Sequence, residues 1–196
     1  LQEKEADMTT ATWNIDAAHS GIHFTVRHMV VARLHGQFRR WSAEIAIDET
    51  DLTRSSVGVT IEAASVDTGN AQRDADLRSG NFFDVERFPA LTFRSRRIER
   101  TGKDGYSLVG DLTIRDVTRE IALDAELGGF LVDPWGMRRA GFTARANVRR
   151  SDFGMIWNQF LEAGGVAVGD DVAIAIEVEA VSKAQAVSQA PQTAVA

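Results

Sequence analysis

Apolar and polar side chains alternate along most of this chain, the two-residue period of strands with one buried face. Ile22, Phe24 and Val26 fall on one face, and His23, Thr25 and Arg27 on the other. The period returns in Val57, Val59, Ile61 and Ala63, and in Tyr106, Leu108, Gly110, Leu112 and Ile114. It continues through Ile121, Leu123, Ala125 and Leu127, then Ala140, Phe142, Ala144, Ala146 and Val148, and ends with Val172, Ile174, Ile176 and Val178. Between Leu34 and Asp48 the phase changes: Leu34, Gly36 and Phe38 are even-numbered, whereas Trp41, Ala43, Ile45 and Ile47 are odd. A slip of one residue predicts a β-bulge near Arg39 and Arg40, and bulges supply the curvature that a closing sheet needs. With residues 91–98 added, the pattern predicts about eight antiparallel strands joined mostly by short turns, an up-and-down barrel or a sandwich. Residues 71–79 predict a helix, with Asn70 as N-cap, Leu77 as apolar anchor and Gly80 at its end. A second short helical turn is expected within residues 153–161.

Whether such a barrel is hollow depends on the size of its inward side chains. The inward phase includes Gly36, Ala43, Ala63, Gly110, Ala125, Ala140, Ala144 and Ala146, which leave volume unfilled. Two outcomes are open. Phe24, Phe38, Trp41, Phe93 and Phe142 fill the gaps, or an apolar lumen remains. A lumen of that kind favours hydrocarbon over water: at ~0.8 kcal/mol per buried CH₂, ten carbons give a gross ~8 kcal/mol before ordering costs.

Composition narrows the classes. The chain has 196 residues, 44% hydrophobic and 26% charged, enough for one domain with a real core. One domain is expected over residues 12–182, after an N-terminal extension (1–11). The tail 183–196 is rich in Ala, Gln, Ser and Val, a composition that permits disorder and a short helix alike. There is no cysteine, which excludes disulfides and thiolate chemistry. The net charge of −6 argues against a nucleic-acid backbone as partner. The doublets Arg39-Arg40, Arg96-Arg97, Arg138-Arg139 and Arg149-Arg150 are spread along the chain among acids and are read as solvated faces and turns. No apolar run is long enough to span a bilayer, and residues 1–12 lack the apolar core of a signal peptide.

Short segments follow one another in a definite order: Trp13-Asn14-Ile15-Asp16, His19-Ser20, Ile22-His23-Phe24-Thr25-Val26-Arg27-His28-Met29, Gly36-Gln37-Phe38 and Ser65-Val66-Asp67-Thr68-Gly69. Arg73-Asp74, Leu77-Arg78, Asn81-Phe82-Phe83-Asp84, Phe88-Pro89 and Thr92-Phe93 follow. Gly110-Asp111-Leu112-Thr113-Ile114, Arg150-Ser151-Asp152-Phe153-Gly154 and Val168-Gly169-Asp170 complete the series. In order and spacing this resembles the bacterial YceI-like family of polyisoprenoid-binding proteins, over about Trp13 to Ser182. The resemblance implies an all-β, extended lipocalin-like barrel with a helix near one end. It also implies a lumen holding an isoprenoid lipid, such as a quinone tail or a polyprenyl phosphate, or another long-chain lipid or amide, with no cofactor required. Homodimers are implied too. Exported members carry signal peptides, so the chain as given is expected in the cytoplasm, or in the periplasm or outside the cell if a signal was removed. Where the family's Leu-Thr-Ile-Arg-x-Val-Thr hairpin has glycine, this chain has Asp116, which tolerates turn geometry.

On this phase assignment the lumen is lined by Ile22, Phe24, Val26, His28, Phe38, Phe93, Leu112, Ile114, Phe142 and Ala144. Trp157 and Phe160 cap it or pack a corner. His28, Arg73 and Asp74 are the candidate head-group contacts, since arginine offers fork-like donors suited to phosphate. Each also has a plainer reading: a hydrogen-bonded core or rim histidine, and a salt bridge or loop anchor tying the helix to the barrel. His19, His23, His28 and His35 do not suit a metal, because strand residues four apart lie about 13 Å from one another. His19-Ser20 reads as a turn pair, and Asp152, Asp170 and Asp171 as turn and capping groups. Gly-x-Ser-x-Gly, His-Glu-x-x-His and phosphate-loop motifs are absent. The expected function is non-catalytic binding, transport or storage of a long apolar ligand. The alternatives are an enzyme acting on an isoprenoid or quinone, with His28 and Arg73 or Asp74 as its acid–base set, and a filled barrel serving as an interaction module.

Overall fold

The structure, a computed structural model, describes residues 11–29, 31–160, 162 and 165–182. The N-terminal extension up to residue 10, the tail 183–196 and Leu161 lie outside these. Eleven strand segments form one antiparallel sheet. They are β1 (Ala11–Ile15), β2 (Gly21–His28), β3 (Ala32–Phe38), β4 (Trp41–Ile47), β5 (Ser56–Glu62) and β6 (Val66–Asp67), followed by β7 (Ala90–Arg100), β8 (Gly105–Ile114), β9 (Val117–Val132), β10 (Arg138–Arg149) and β11 (Val168–Ser182). Among the described residues the single α-helix, α1 (Ala71–Arg78), stands between β6 and β7.

The pairings reduce these segments to eight staves. β1 and β2 lie end to end along β11, through Trp13↔Ser182 and Ile22↔Ile176. On their other side β1 pairs with β4 and β2 with β3. β5 pairs with β4 and β6 with β3, and β7 to β11 then follow in sequence order. Each stave neighbours the next in the chain, and the last closes on the first. The fold is therefore a closed up-and-down antiparallel barrel, and the sandwich alternative falls.

The expected bulge at Arg39-Arg40 is a full interruption. The ladder stops at Phe38 and resumes at Trp41, and Arg39 N–H donates to Ser65 O (3.1 Å) while Arg40 O accepts from Glu62 N–H (3.0 Å). Ala63 keeps the inward phase but opens a 3₁₀ turn, Ala63–Ser65, which breaks the neighbouring stave beside it. Both first hairpins thus bend at one level of the barrel.

The helix forms where the sequence places it. Asn70 Oδ1 accepts from Arg73 N–H (3.0 Å), and Ser79 ends the helix one residue before Gly80. Arg78 in the last turn donates to Ala64 O and Val66 O (both 2.7 Å), and Leu77 packs into the core, so α1 lies across one end of the barrel. The second helical turn lies earlier than expected, as a 3₁₀ turn at Arg150–Phe153. The β8–β9 hairpin explains Asp116: the positive φ (59°) falls on Arg115, so Asp116 occupies a position that makes no demand for glycine.

The opposite end is closed by Trp13, which is buried against Phe130 (ring centroids 6.1 Å apart), and by Leu52, Tyr106 and Ala180. Arg139 ties this end together. It donates to Asp133 Oδ2 (2.7 Å), to Asp16 Oδ2 (2.9 Å) and to the Glu179 carboxylate, linking the β9–β10 hairpin, the β1–β2 junction and β11. Arg139, with His19 at 3.2 Å, lowers the Asp16 carboxyl from 3.8 to about 2, and Arg139 also lowers Asp133.

A carboxyl depressed in the folded state contributes stability that is present above its unfolded value and lost as pH falls through the folded one. We therefore expect Arg139→Ala to lower Tm by a few degrees near neutral pH, with the gap to wild type narrowing as pH falls from about 4 to about 2. Thermal melts across this range check it; a gap independent of pH would contradict the electrostatic reading.

Candidate functional site

The barrel interior holds two apolar chambers in line. The larger, about 200 Å³, lies at the α1 end. Ile22, Phe24, Val26, Phe38, Phe93, Leu112, Ile114 and Ala144 border it, joined by Leu77, Phe82 and Phe83 from α1 and the loop after it. The smaller, about 120 Å³, lies toward Tyr106 and Leu52 and is bordered by Phe142 and Ala144. Val57, Leu108 and Ala144 border both, so they form the neck between them.

The small inward residues contribute less space than their sizes imply. A Cβ on Gly36 would sit 2.3 Å from the Phe24 ring, and one on Gly110 would sit 2.6 Å from the Phe93 ring. Each glycine lets a neighbouring aromatic ring lie flat on the sheet, so the ring takes the missing volume. Ala63, Ala140 and Ala146 are buried without bordering either chamber. Only Ala125 and Ala144 of the small series face the chambers, and they are direct partners across the β9–β10 pair. Here the two open outcomes coexist: aromatic rings fill part of the interior, and an apolar lumen remains.

Two expected lining residues lie elsewhere. His28 ends β2, half-buried beside its register partner Val168, and borders neither chamber. The β11 register slips between Val168 and Val172, which ends the regular phase that would have carried His28 inward. Phe160 is 86% exposed and, among the described residues, forms an isolated bridge to Val166. Trp157 is an intermediate case, with its ring 5.5 Å from that of Phe82, which does border the larger chamber.

Arg73 and Asp74 take the plainer of their two readings. Asp74, 6% exposed, accepts from Thr68 N–H (2.9 Å) and from the Thr68 hydroxyl (2.5 Å). Arg73 donates through Nε to the same hydroxyl oxygen (2.7 Å) and through Nη2 to Thr68 O (3.0 Å). Both residues anchor the helix to the β6–α1 connection. Asp170 accepts from Ser151 N–H and hydroxyl, and Asp152 pairs with Arg149, as expected of turn groups. Ser20 exchanges hydrogen bonds with the Glu179 backbone. Asp16, His19 and Glu179 bring three ligand atoms within 4.8 Å of one another, but the Arg139 guanidinium already binds both carboxylates.

The residue that the sequence reading passed over is Arg150. It is 6% exposed and borders the larger chamber. Its Nε donates to Gly169 O (2.9 Å), its Nη1 to Trp157 O (2.9 Å) and Met155 O, and its Nη2 to Val168 O (3.3 Å). Burial pushes its pKa down, opposed by the charge of Asp170. The alternation did carry a signal: Ala140, Phe142, Ala144, Ala146 and Val148 point inward, and Arg150 is the next position in that phase.

Comparison with known proteins agrees with this architecture. A family model described as "YceI-like domain" matches residues 13–180. A UPF0312 protein of Serratia proteamaculans is 40% identical over 147 residues, 74% of this chain and 76% of that protein. The crystal structure of the Campylobacter jejuni YCEI protein superposes with a TM-score of 0.68 at 30% identity, covering 81% of this chain and 90% of that one. A polyisoprenoid binding domain from Saccharophagus degradans, implicated in plant cell wall breakdown, shares the fold at a TM-score of 0.65 and 14% identity, covering 88% of this chain and 99% of that one.

If Asp74 is an anchor, Asp74→Ala leaves the Thr68 donors unpaired and costs about 1–3 kcal/mol. Urea unfolding measures this. A variant as stable as wild type would contradict the anchoring role.

Proposed function

The chain belongs to the YceI-like family, and from that premise we propose that it binds, carries or stores a long apolar ligand in its lumen without reacting on it. The ligand is an isoprenoid quinone, a polyprenyl phosphate or a lipid of similar shape. The observation that carries this reading is the run of two apolar chambers joined at Val57, Leu108 and Ala144. A narrow interior in two linked parts suits a single extended chain better than a compact molecule. Burial of that chain supplies ~0.8 kcal/mol per CH₂, offset by the ordering of a flexible ligand.

The kinship to a polyisoprenoid binding domain supports the ligand class. The catalytic alternative loses its motive, because Arg73 and Asp74 are both bonded to Thr68 and His28 borders neither chamber.

The neck provides the test. Ala144→Trp places an indole where both chambers meet, next to another alanine, Ala125. In titrations of delipidated protein with a C20 prenol, the variant should bind at least tenfold more weakly than wild type while keeping its far-UV spectrum. Equal affinity in a folded variant would mean that the ligand does not occupy this lumen.

A further inference from the structure

We propose that the α1 end of the barrel is a membrane-docking face: Met29, Val31, Ile156 and Phe160 insert into a lipid bilayer, and Arg27 and Arg33 meet its phosphate groups. This rests on the carrier reading and adds to it the surface from which the lumen is filled and emptied.

Nine large apolar side chains stand exposed among the described residues. Five of them, Met29, Val31, Ile156, Trp157 and Phe160, fall on two connections at this end. The backbone brings those connections together. Met29 N–H donates to Ala167 O (3.0 Å), Ala167 N–H donates to Gln159 O (2.9 Å), and Phe160 bridges to Val166. The stretch is fastened from the barrel side as well. Arg150 donates to Met155 O and Trp157 O, while the Asn158 side chain donates to Val168 O (2.7 Å) and accepts from Val168 N–H (3.0 Å). Met155 and Val168 border the larger chamber, and Ile156, the neighbour of Met155, is 77% exposed. Trp157 lies against Phe82, which borders the chamber too. The exposed apolar side chains are therefore continuous along the chain with the wall of the lumen.

Charge is sparse on these connections. Residues 154–169 include one charged side chain, Glu162, and residues 29–32 none, although 26% of the chain is charged. An exposed apolar surface with so little charge marks a place that another apolar phase covers. Beside it, Arg27 and Arg33 face each other across β2–β3, and among the described residues no carboxylate lies within 4.0 Å of either. Like charges placed directly opposite repel each other. Both arginines border an outer groove, whose other wall carries Asp170 and Asp171; Asp170 is taken up by Ser151. A phosphate between the two guanidiniums relieves the repulsion.

A bilayer fits this face better than a protein does. A stable protein interface takes roughly 800 Å² and about 20–30 residues from each partner, far more than five apolar side chains on two short connections offer. Insertion into lipid needs apolar area and cationic neighbours but no matching shape. The net charge of −6 opposes approach to an anionic surface, so the apolar side chains carry the binding and the arginine pair sets which end leads.

The test separates docking from ligand binding. Delipidated protein is floated on a density gradient with vesicles of phosphatidylcholine containing one fifth phosphatidylglycerol, and a C20 prenol is titrated separately without vesicles. Wild type should float with the vesicles. The double variant Val31→Glu, Phe160→Glu should lower the partition coefficient at least tenfold, and Arg27→Gln with Arg33→Gln at least threefold. Trp135→Ser, at the exposed β9–β10 turn of the opposite end, should leave it unchanged, and every variant should bind the prenol as wild type does. A wild type that binds the prenol but does not float would overturn the docking face and leave the carrier reading standing. Flotation that survives Val31→Glu, Phe160→Glu, or that is lost in Trp135→Ser, would also overturn it, and equal flotation of the arginine variant would remove the phosphate contacts. A wild-type dimer made monomeric by Val31→Glu, Phe160→Glu, with flotation unchanged, would assign the face to a second copy of the chain instead. Failure of wild type to bind the prenol would overturn the carrier reading itself.

Discussion

Around a closed barrel, backbone N–H and C=O groups pair with those of the neighbouring staves, so no sheet edge is left in need of a partner. That closure is what allows the interior to be apolar and partly empty, because no wall group requires water. Here the closing seam is β11 paired with β1 over three register pairs beside the buried Trp13, and with β2 over seven more. The Arg139 network lies at the β1 end of that seam. Among the described residues, indole Nε1 of Trp13 has no partner.

The two ends have different chemistry. One is sealed by Trp13, Leu52 and Tyr106. The other is assembled from α1, the loop bearing Phe82 and Phe83, and the connection into β11, where Arg150 is buried. Exposed apolar side chains, Met29, Val31, Ile156 and Phe160, lie in the connections at that same end.

Much of the fold was legible because strand alternation is a local signal that the barrel uses almost unchanged. The helix was legible because Asn70 caps it in the ordinary way. The break at Arg39-Arg40 was visible as a change of phase, but its nature depends on the Ala63–Ser65 turn in the next stave, a contact between distant residues. Likewise, Gly36 and Gly110 read as empty space in isolation, and only the pairing reveals the rings of Phe24 and Phe93 above them. Phe24, Phe38, Phe93 and Ala144 were found by phase, and His28 was misplaced by the same rule where β11 slips. Arg150 was missed because an arginine doublet reads as surface, although its partner Arg149 alone is on the surface.

Mass spectrometry of the purified protein, under native conditions and after organic extraction, tests the central claim most directly. We predict a stoichiometric added mass in the native spectrum, and in the extract a single-chain lipid with an isoprenoid tail. A bare chain mass, an empty extract and no uptake of an added C20 prenol would contradict the account and leave the barrel as a filled scaffold.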